Sequence, residues 1–226
     1  MFKIAYGAGH NKFTKNRIPD GETEWVLNDR VARYFEKAAK GYPVELKRVD
    51  HETEPVDLKK RCKLANDWGA DFFLSIHHNA GVDGGTGGGL VAFSNPGSVR
   101  GAQYRDAIYD ACIAAGGLRG DRWDGTLETP FYVLKYTDMP AVLMEYGFMD
   151  SKTDVPVILT EEYSRAVGYA TMDGIAKVAG LKKKEAPSKY TQEQFIRDVQ
   201  GACGASVDGI AGPETISKTV TLSASK

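Results

Sequence analysis

Residues 72–80 read FFLSIHHNA. Phe72, Phe73, Leu74 and Ile76 form a short run that is apolar toward both faces, as a strand covered on both sides requires. Such a run usually stays apolar to its end. This one finishes on His77, His78 and Asn79. Either the imidazoles end the strand by accident, or the strand exists to hold one of them against something.

Working outward, further short apolar runs occupy Phe2–Tyr6, Pro43–Val49, Leu90–Phe93 and Ala141–Glu145, with a weaker one near Phe131–Leu134. With Asp71–Ile76 these are the strand candidates. Between them, apolar residues recur at helical spacing: Leu27, Val31, Tyr34, Phe35 and Ala38; Leu58, Cys62, Ala65 and Trp68; Tyr104, Ala107, Ile108 and Ala111; Tyr163, Val167 and Ala170. Alternation of this kind predicts an α/β fold. Its centre is a twisted, mostly parallel sheet of about six strands with helices on both faces. A small helical C-terminal segment follows it. The helical pattern fades near Gly180, and LKKKEAPSK reads as a linker, which divides the chain into 1–180, 181–190 and 191–226. The Gly-rich stretch VDGGTGGGL (82–90) has little side chain to pack and is expected to be a mobile loop beside His77.

Bulk composition narrows the function. Of 226 residues, 42% are apolar, enough for a core, and 29 Lys and Arg balance 30 Asp and Glu. No basic excess or stripe points to nucleic acid, so no nucleic-acid partner is expected. Cys62, Cys112 and Cys203 are far apart and form no C-x-x-C pair, which suits reduced structural thiols better than a disulfide frame or a thiolate metal site. The opening MFKIAYGAGH lacks a basic segment leading into an apolar one, and no 18-residue apolar run occurs anywhere. The expectation is a protein made in the cytoplasm without a Sec signal and with no membrane insertion.

Open α/β sheets bind ligands beyond the carboxyl ends of their strands. Four polar residues fall there. His10 follows the first strand through Gly7-Ala8-Gly9, His77 ends FFLSI, and Glu145 ends AVLME. Glu24 precedes Leu27, Asn28 and Val31 by three, four and seven positions, so it lies on the apolar stripe of the first helix, in its first turn. An inward carboxylate must be paired, protonated or bound to a metal. Two His and one carboxylate around an open position form the ligand set of catalytic zinc. Each residue alone also has an ordinary reading. A histidine can be a satisfied core or surface residue, Glu24 a helix N-terminal acid favoured by the macrodipole, and Glu145 a buried ion-pair partner. These readings stay open on the residues alone.

Four separated blocks in order carry a more specific signal. IAYGAGH, ETEWVLN, LKKRCKLANDWGADFFLSIHHNA and VLKYTDMPAVLMEYGFMDSKTD together resemble the zinc-dependent N-acetylmuramoyl-L-alanine amidases of type 3, over about residues 1–180. The resemblance implies Zn²⁺ on His10, Glu24 and His77, with Glu145 as the catalytic carboxylate. It also implies hydrolysis of the bond between N-acetylmuramic acid and L-alanine, with bacterial peptidoglycan as the partner. Glu145 would take a proton from the attacking water and deliver it to the leaving nitrogen. His78 stands where the family usually has a small residue, and strand neighbours face opposite ways, so it is expected at the surface or behind the ligands. Trp25, Trp123, Tyr132 and Tyr146 are candidates for stacking on sugar or peptide; Tyr146 ranks first because it follows Glu145, and Asn79 joins Tyr132 and Tyr146 as a substrate contact. The segment NKFTKNR after His10 departs from the family pattern and leaves the local substrate contacts open.

The tail FIRDVQGACGASVDGIAGPETISKTV resembles the first half of a peptidoglycan-binding domain, through Gln200, Asp208, Gly209, Gly212, Pro213 and Thr215. A docked helical extension is the plainer alternative, and about 36 residues are few for a unit that folds alone. The expected whole is an endolysin of phage or prophage type, which acts on the wall after release. The competing readings are a zinc peptidase acting within the stem peptide and a non-catalytic wall-binding protein.

Overall fold

A computed structural model describes residues 1–14, 18–19, 21–121, 125–184, 192–207 and 210–212. Among the described residues there are six strands: β1 (Phe2–Ala8), β2 (Val44–Arg48), β3 (Phe72–Asn79), β4 (Val91–Ser94), β5 (Thr126–Glu128) and β6 (Ala141–Phe148). They form one sheet in the order β2-β1-β3-β6-β4-β5. β1, β2, β3 and β6 run parallel, β4 runs antiparallel to β6, and β5 is parallel to β4. The mostly parallel six-stranded sheet is the one the sequence predicts.

Strand alternation divides the core in two. Leu74, Ile76, Val142 and Met144 point to a layer made by α1 (Glu24–Ala39), α3 (Val99–Ala114) and α6 (Glu161–Ala179). Phe73, Ala141 and Leu143 point to the other face, against α2 (Leu58–Trp68) and α4 (Tyr132–Lys135). Each fully buried Leu, Ile or Phe contributes about 1.5–3 kcal/mol relative to exposure. Gly168 of α6 packs where a Cβ would stand 2.7 Å from the Cβ of Tyr34 and 2.9 Å from the Val31 carbonyl, so α6 lies close on α1 only because the side chain is missing. Helix ends are written locally. Asp57 caps α2 by accepting from the Lys60 N–H at 2.7 Å, and Gly69 closes it with φ +65°.

Three expectations change. The weak run near Phe131–Leu134 is not a strand: Tyr132–Lys135 is one helical turn, and the sixth strand is the short, polar Thr126–Glu128 at the sheet edge. β1, β3 and β6 run two or three residues past their apolar stretches, because ladder hydrogen bonds ignore side-chain polarity. His77 and Glu145 are therefore register partners inside the sheet, with a bulge between His77 and Asn79. The Gly-rich loop is pinned rather than loose. Asp150 accepts from the N–H groups of Gly81, Val82 and Asp83 at 2.8–2.9 Å, Asp154 from Gly89 and Asp121 from Gly88.

The chain divides into units Met1–Lys183 and Lys184–Lys226. In the first, the short α5 (Val155–Ile158) precedes α6, and Leu181 packs beside the α1, α3 and α6 core. In the second, α7 (Gln192–Cys203) carries Gln200, which is 1% exposed and donates through Nε2 to the Ile210 carbonyl. Gln200 therefore serves the inside of its own unit and does not present its amide to a ligand, which corrects its expected wall-binding role. Gly212 is exposed to an intermediate degree. The linker residues 185–190 and Asp208, Gly209, Pro213 and Thr215 lie outside the described residues. Among the described residues no helix is long and apolar enough to cross a membrane, and the three cysteines are free.

Candidate metal centre

His10, Glu24 and His77 come together at the carboxyl edge of β1 and β3. β1 delivers His10 through Gly9, whose N–H donates to the Ile76 carbonyl at 2.8 Å. A Cβ on Gly9 would stand 2.1 Å from Cε1 of His77, so glycine is what lets the two segments share the space. His10 itself sits at φ +66°, in the left-handed region that few residues other than glycine enter, though His is among those that do so most readily. Its carbonyl accepts from Arg61 Nη2 at 3.0 Å, while Arg61 Nη1 and Nε donate to the carbonyls of Ala8 and Val56. Arg61 is buried, and its three bonds hold the turn that aims His10.

Glu24 lies between the imidazoles. Its Oε2 is 2.9 Å from His10 Nε2 and its Oε1 is 2.9 Å from His77 Nδ1. Burial works against its charge, but hydrogen bonds from His10 and His77 outweigh it and hold the carboxyl far below the usual carboxylate range. The three candidate ligand atoms lie within 4.8 Å of one another.

Glu145 lines the same cleft from β6. Its Oε2 is buried and has no hydrogen-bond partner, an arrangement that costs free energy unless something absent here uses the atom. Burial first, and the charge of Glu24 second, push its carboxyl well above the ordinary range. The cleft has a volume of about 690 Å³, with Pro55–Leu58 on one wall and Phe131–Val133 on another. Asn66 on α2 holds the turn ahead of β6, donating to the Tyr136 carbonyl and accepting from the Asp138 N–H, both at 3.1 Å.

The expected substrate contacts divide. Tyr132 lines the cleft, half-exposed, with its ring 4.4 Å from that of Tyr136. Asn79 is half-buried at the end of β3, and its Oδ1 accepts from the Ala80 N–H. Tyr146 is fully buried on the opposite face of β6 from Glu145, its hydroxyl 2.7 Å from that of Thr171, so it cannot stack on a ligand in the cleft. Trp25 is 6% exposed and belongs to the core, and Trp123 lies outside the described residues. His78 is 3% exposed and not at the surface. It packs behind the site with Nδ1 2.8 Å from Asn28 Oδ1, and burial pushes its pKa down to about 3. Asn28 and Arg61 are visible in the sequence within the blocks ETEWVLN and LKKRCKLAN that carry the family resemblance, but no sequence pattern assigns either a role at the site.

A carboxylate between two imidazoles, beside a cleft lined by a second carboxyl whose Oε2 has no hydrogen-bond partner among the described residues, is a candidate metal centre of a hydrolase on an α/β scaffold. Two nitrogens and one oxygen, with no thiolate, match the donor set of catalytic zinc. The N-acetylmuramoyl-L-alanine amidase family matches residues 4–177, and the chain belongs to it and is an amidase. It is 36% identical over 194 residues to the N-acetylmuramoyl-L-alanine amidase CwlM of Bacillus licheniformis, across 82% of this chain and 72% of that one. It is 29% identical over 153 residues to the endolysin of Bacillus phage SPP1, across 67% of this chain and 56% of that one. The fold is similar to the catalytic domain of CwlV, an amidase from Bacillus (Paenibacillus) polymyxa var. colistinus. That likeness has a TM-score of 0.72 at 24% identity and covers 80% of this chain and all of that one.

Proposed function

We propose that this amidase cuts the bond between N-acetylmuramic acid and L-alanine in peptidoglycan, with zinc held by His10, Glu24 and His77. The observation that carries the reading is the buried Oε2 of Glu145, without a hydrogen-bond partner among the described residues, on a residue that lines the same cleft as His10 and His77 of the His10–Glu24–His77 cluster. Zinc, when bound, supplies a Lewis acid and brings the pKa of water at its open position to about 7. Glu145 accepts the proton of the water that attacks the lactyl carbonyl. The carbon–nitrogen bond then breaks, and Glu145 returns that proton to the alanine nitrogen. Arg61 keeps the His10 turn in place. Tyr132 and Asn79 are the proposed substrate contacts. Residues 191–226 serve the proposed wall attachment, and deployment after release, in the manner of an endolysin, is the proposed setting.

The test is product analysis on purified walls. The expected products carry new free N-terminal L-alanine, and zinc is found at one per chain. His77→Ala should lose both metal and lysis while staying folded. Free amino groups of other stem-peptide residues would instead identify a peptidase, and full zinc occupancy in His77→Ala would remove that residue from the ligand set.

A further inference from the structure

The three ligands arrive on three separate segments, and something has to keep those segments in register. Asn28 touches all three. It is 0% exposed, one helical turn after Glu24. Its Nδ2 donates to Glu24 Oε1 at 3.2 Å and to the Gly9 carbonyl, next to His10, at 3.3 Å. Its Oδ1 lies 2.8 Å from Nδ1 of His78, next to His77. Both groups facing Nδ2 can only accept, so turning the amide over would set oxygen against oxygen twice. The orientation is thereby fixed, and His78 must carry its proton on Nδ1 and donate it to Asn28. The backbone N–H of His78 also points at Glu24 Oε1, at 3.3 Å.

We infer that Asn28, locked by His78, is the positioning residue of the metal site: one side chain that ties the Glu24 carboxylate to the backbone beside His10 and to the strand that carries His77. The inference rests on the proposed metal reading. His78 thereby gains a purpose that a small residue at its position could not serve. Groups that orient ligands from behind typically change metal affinity about 10–100-fold when removed. Neither Asn28 nor His78 lines the cleft, so both act through Glu24 and are not catalytic residues.

The experiment measures zinc affinity of the full chain by competition with a chromogenic chelator. The visible spectrum of the cobalt-loaded protein and thermal melting of the metal-free protein are recorded on the same preparations. Asn28→Leu keeps the volume and removes every hydrogen bond. It should weaken zinc about 10–100-fold and shift the cobalt bands, because Glu24 loses its fixed rotamer. His78→Leu should weaken zinc about tenfold, whereas His78→Asn, which restores an N–H toward Asn28, should stay near wild type. If Asn28→Leu does not fold, the two His78 variants decide: a leucine-specific loss supports the inference, and equal affinities overturn it. Wild-type zinc binding with both leucine variants within about twofold and unchanged cobalt bands overturns the positioning role while leaving the metal reading intact. A wild-type chain that binds no zinc overturns both.

Discussion

Replacing Glu145 by glutamine removes a proton site and leaves the volume almost unchanged. Because Oε2 has no hydrogen-bond partner, the folded protein loses no bond at that atom. The melting temperature and zinc content should hold while turnover falls about 10²–10⁴-fold, toward the upper end because one carboxyl serves both proton transfers. A variant that keeps more than about a tenth of the wild-type rate would take Glu145 out of the mechanism. Gly9→Ala makes the opposite kind of change. Its Cβ would fall 2.1 Å from Cε1 of His77, so the imidazole must swing away. The expected result is lost zinc in a protein that still melts cooperatively, destabilised by about 1–3 kcal/mol of overpacking. Zinc content equal to wild type would mean that β1 shifts and His77 stays. At this scale the face each residue takes on its strand or helix is legible in the sequence: His10, Glu24 and His77 come together, and His10, His77 and Glu145 line one cleft. Tyr146 departs from its expected place because adjacency along a strand is not adjacency in space; the pleat that sends His78 behind the site sends Tyr146 there too.

Between residue and molecule, the Gly-rich loop illustrates what local composition conceals. Glycines and a lack of apolar side chains suggest freedom, but the groups that pin the loop, Asp121, Asp150 and Asp154, lie far downstream in the chain. No window of sequence contains both halves of the interaction. Strand limits escape the sequence pattern for a related reason: apolar runs report burial, whereas the ladder continues as long as its partner does. Asp150 makes the loop sensitive to acid. Burial raises its carboxyl, but the N–H groups of Gly81, Asp83 and Val82 outweigh that and hold it below its ordinary value of 3.8. A carboxyl lowered by folding contributes stability that is complete above its unfolded value and is lost as pH falls through the lower native one. Amide-exchange protection at Gly81–Asp83 should therefore be flat from neutrality down to about pH 4 and decline below it. Asp150→Asn should abolish that acid step. An unchanged acid profile in the variant would assign the step to another group.

On the scale of the whole molecule, the division at Lys183 and Lys184 allows the attachment role of the tail to be isolated. Residues 1–183 should cleave soluble muropeptides at the rate of the full chain and fall behind on intact walls, because tethering raises effective concentration without altering the chemistry. Equal binding of the two proteins to walls would instead favour a docked extension.

The order β2-β1-β3-β6-β4-β5 has a consequence for how this hydrolase is made. The strand nearest the C-terminus, β6, lies in the interior of the sheet, and it alone joins the β1–β3 half to β4 and β5. A ribosome that has released only the first hundred residues has therefore released every proposed zinc ligand but no proton carrier, and β3 is left with a bare edge. Closing the sheet awaits a pairing between segments some seventy positions apart, the kind of distant contact that slows folding. The proposed zinc ligands and the proposed proton carrier thus coexist only after residues through Phe148 have emerged, and the core layer that holds them is complete only once α6 has followed.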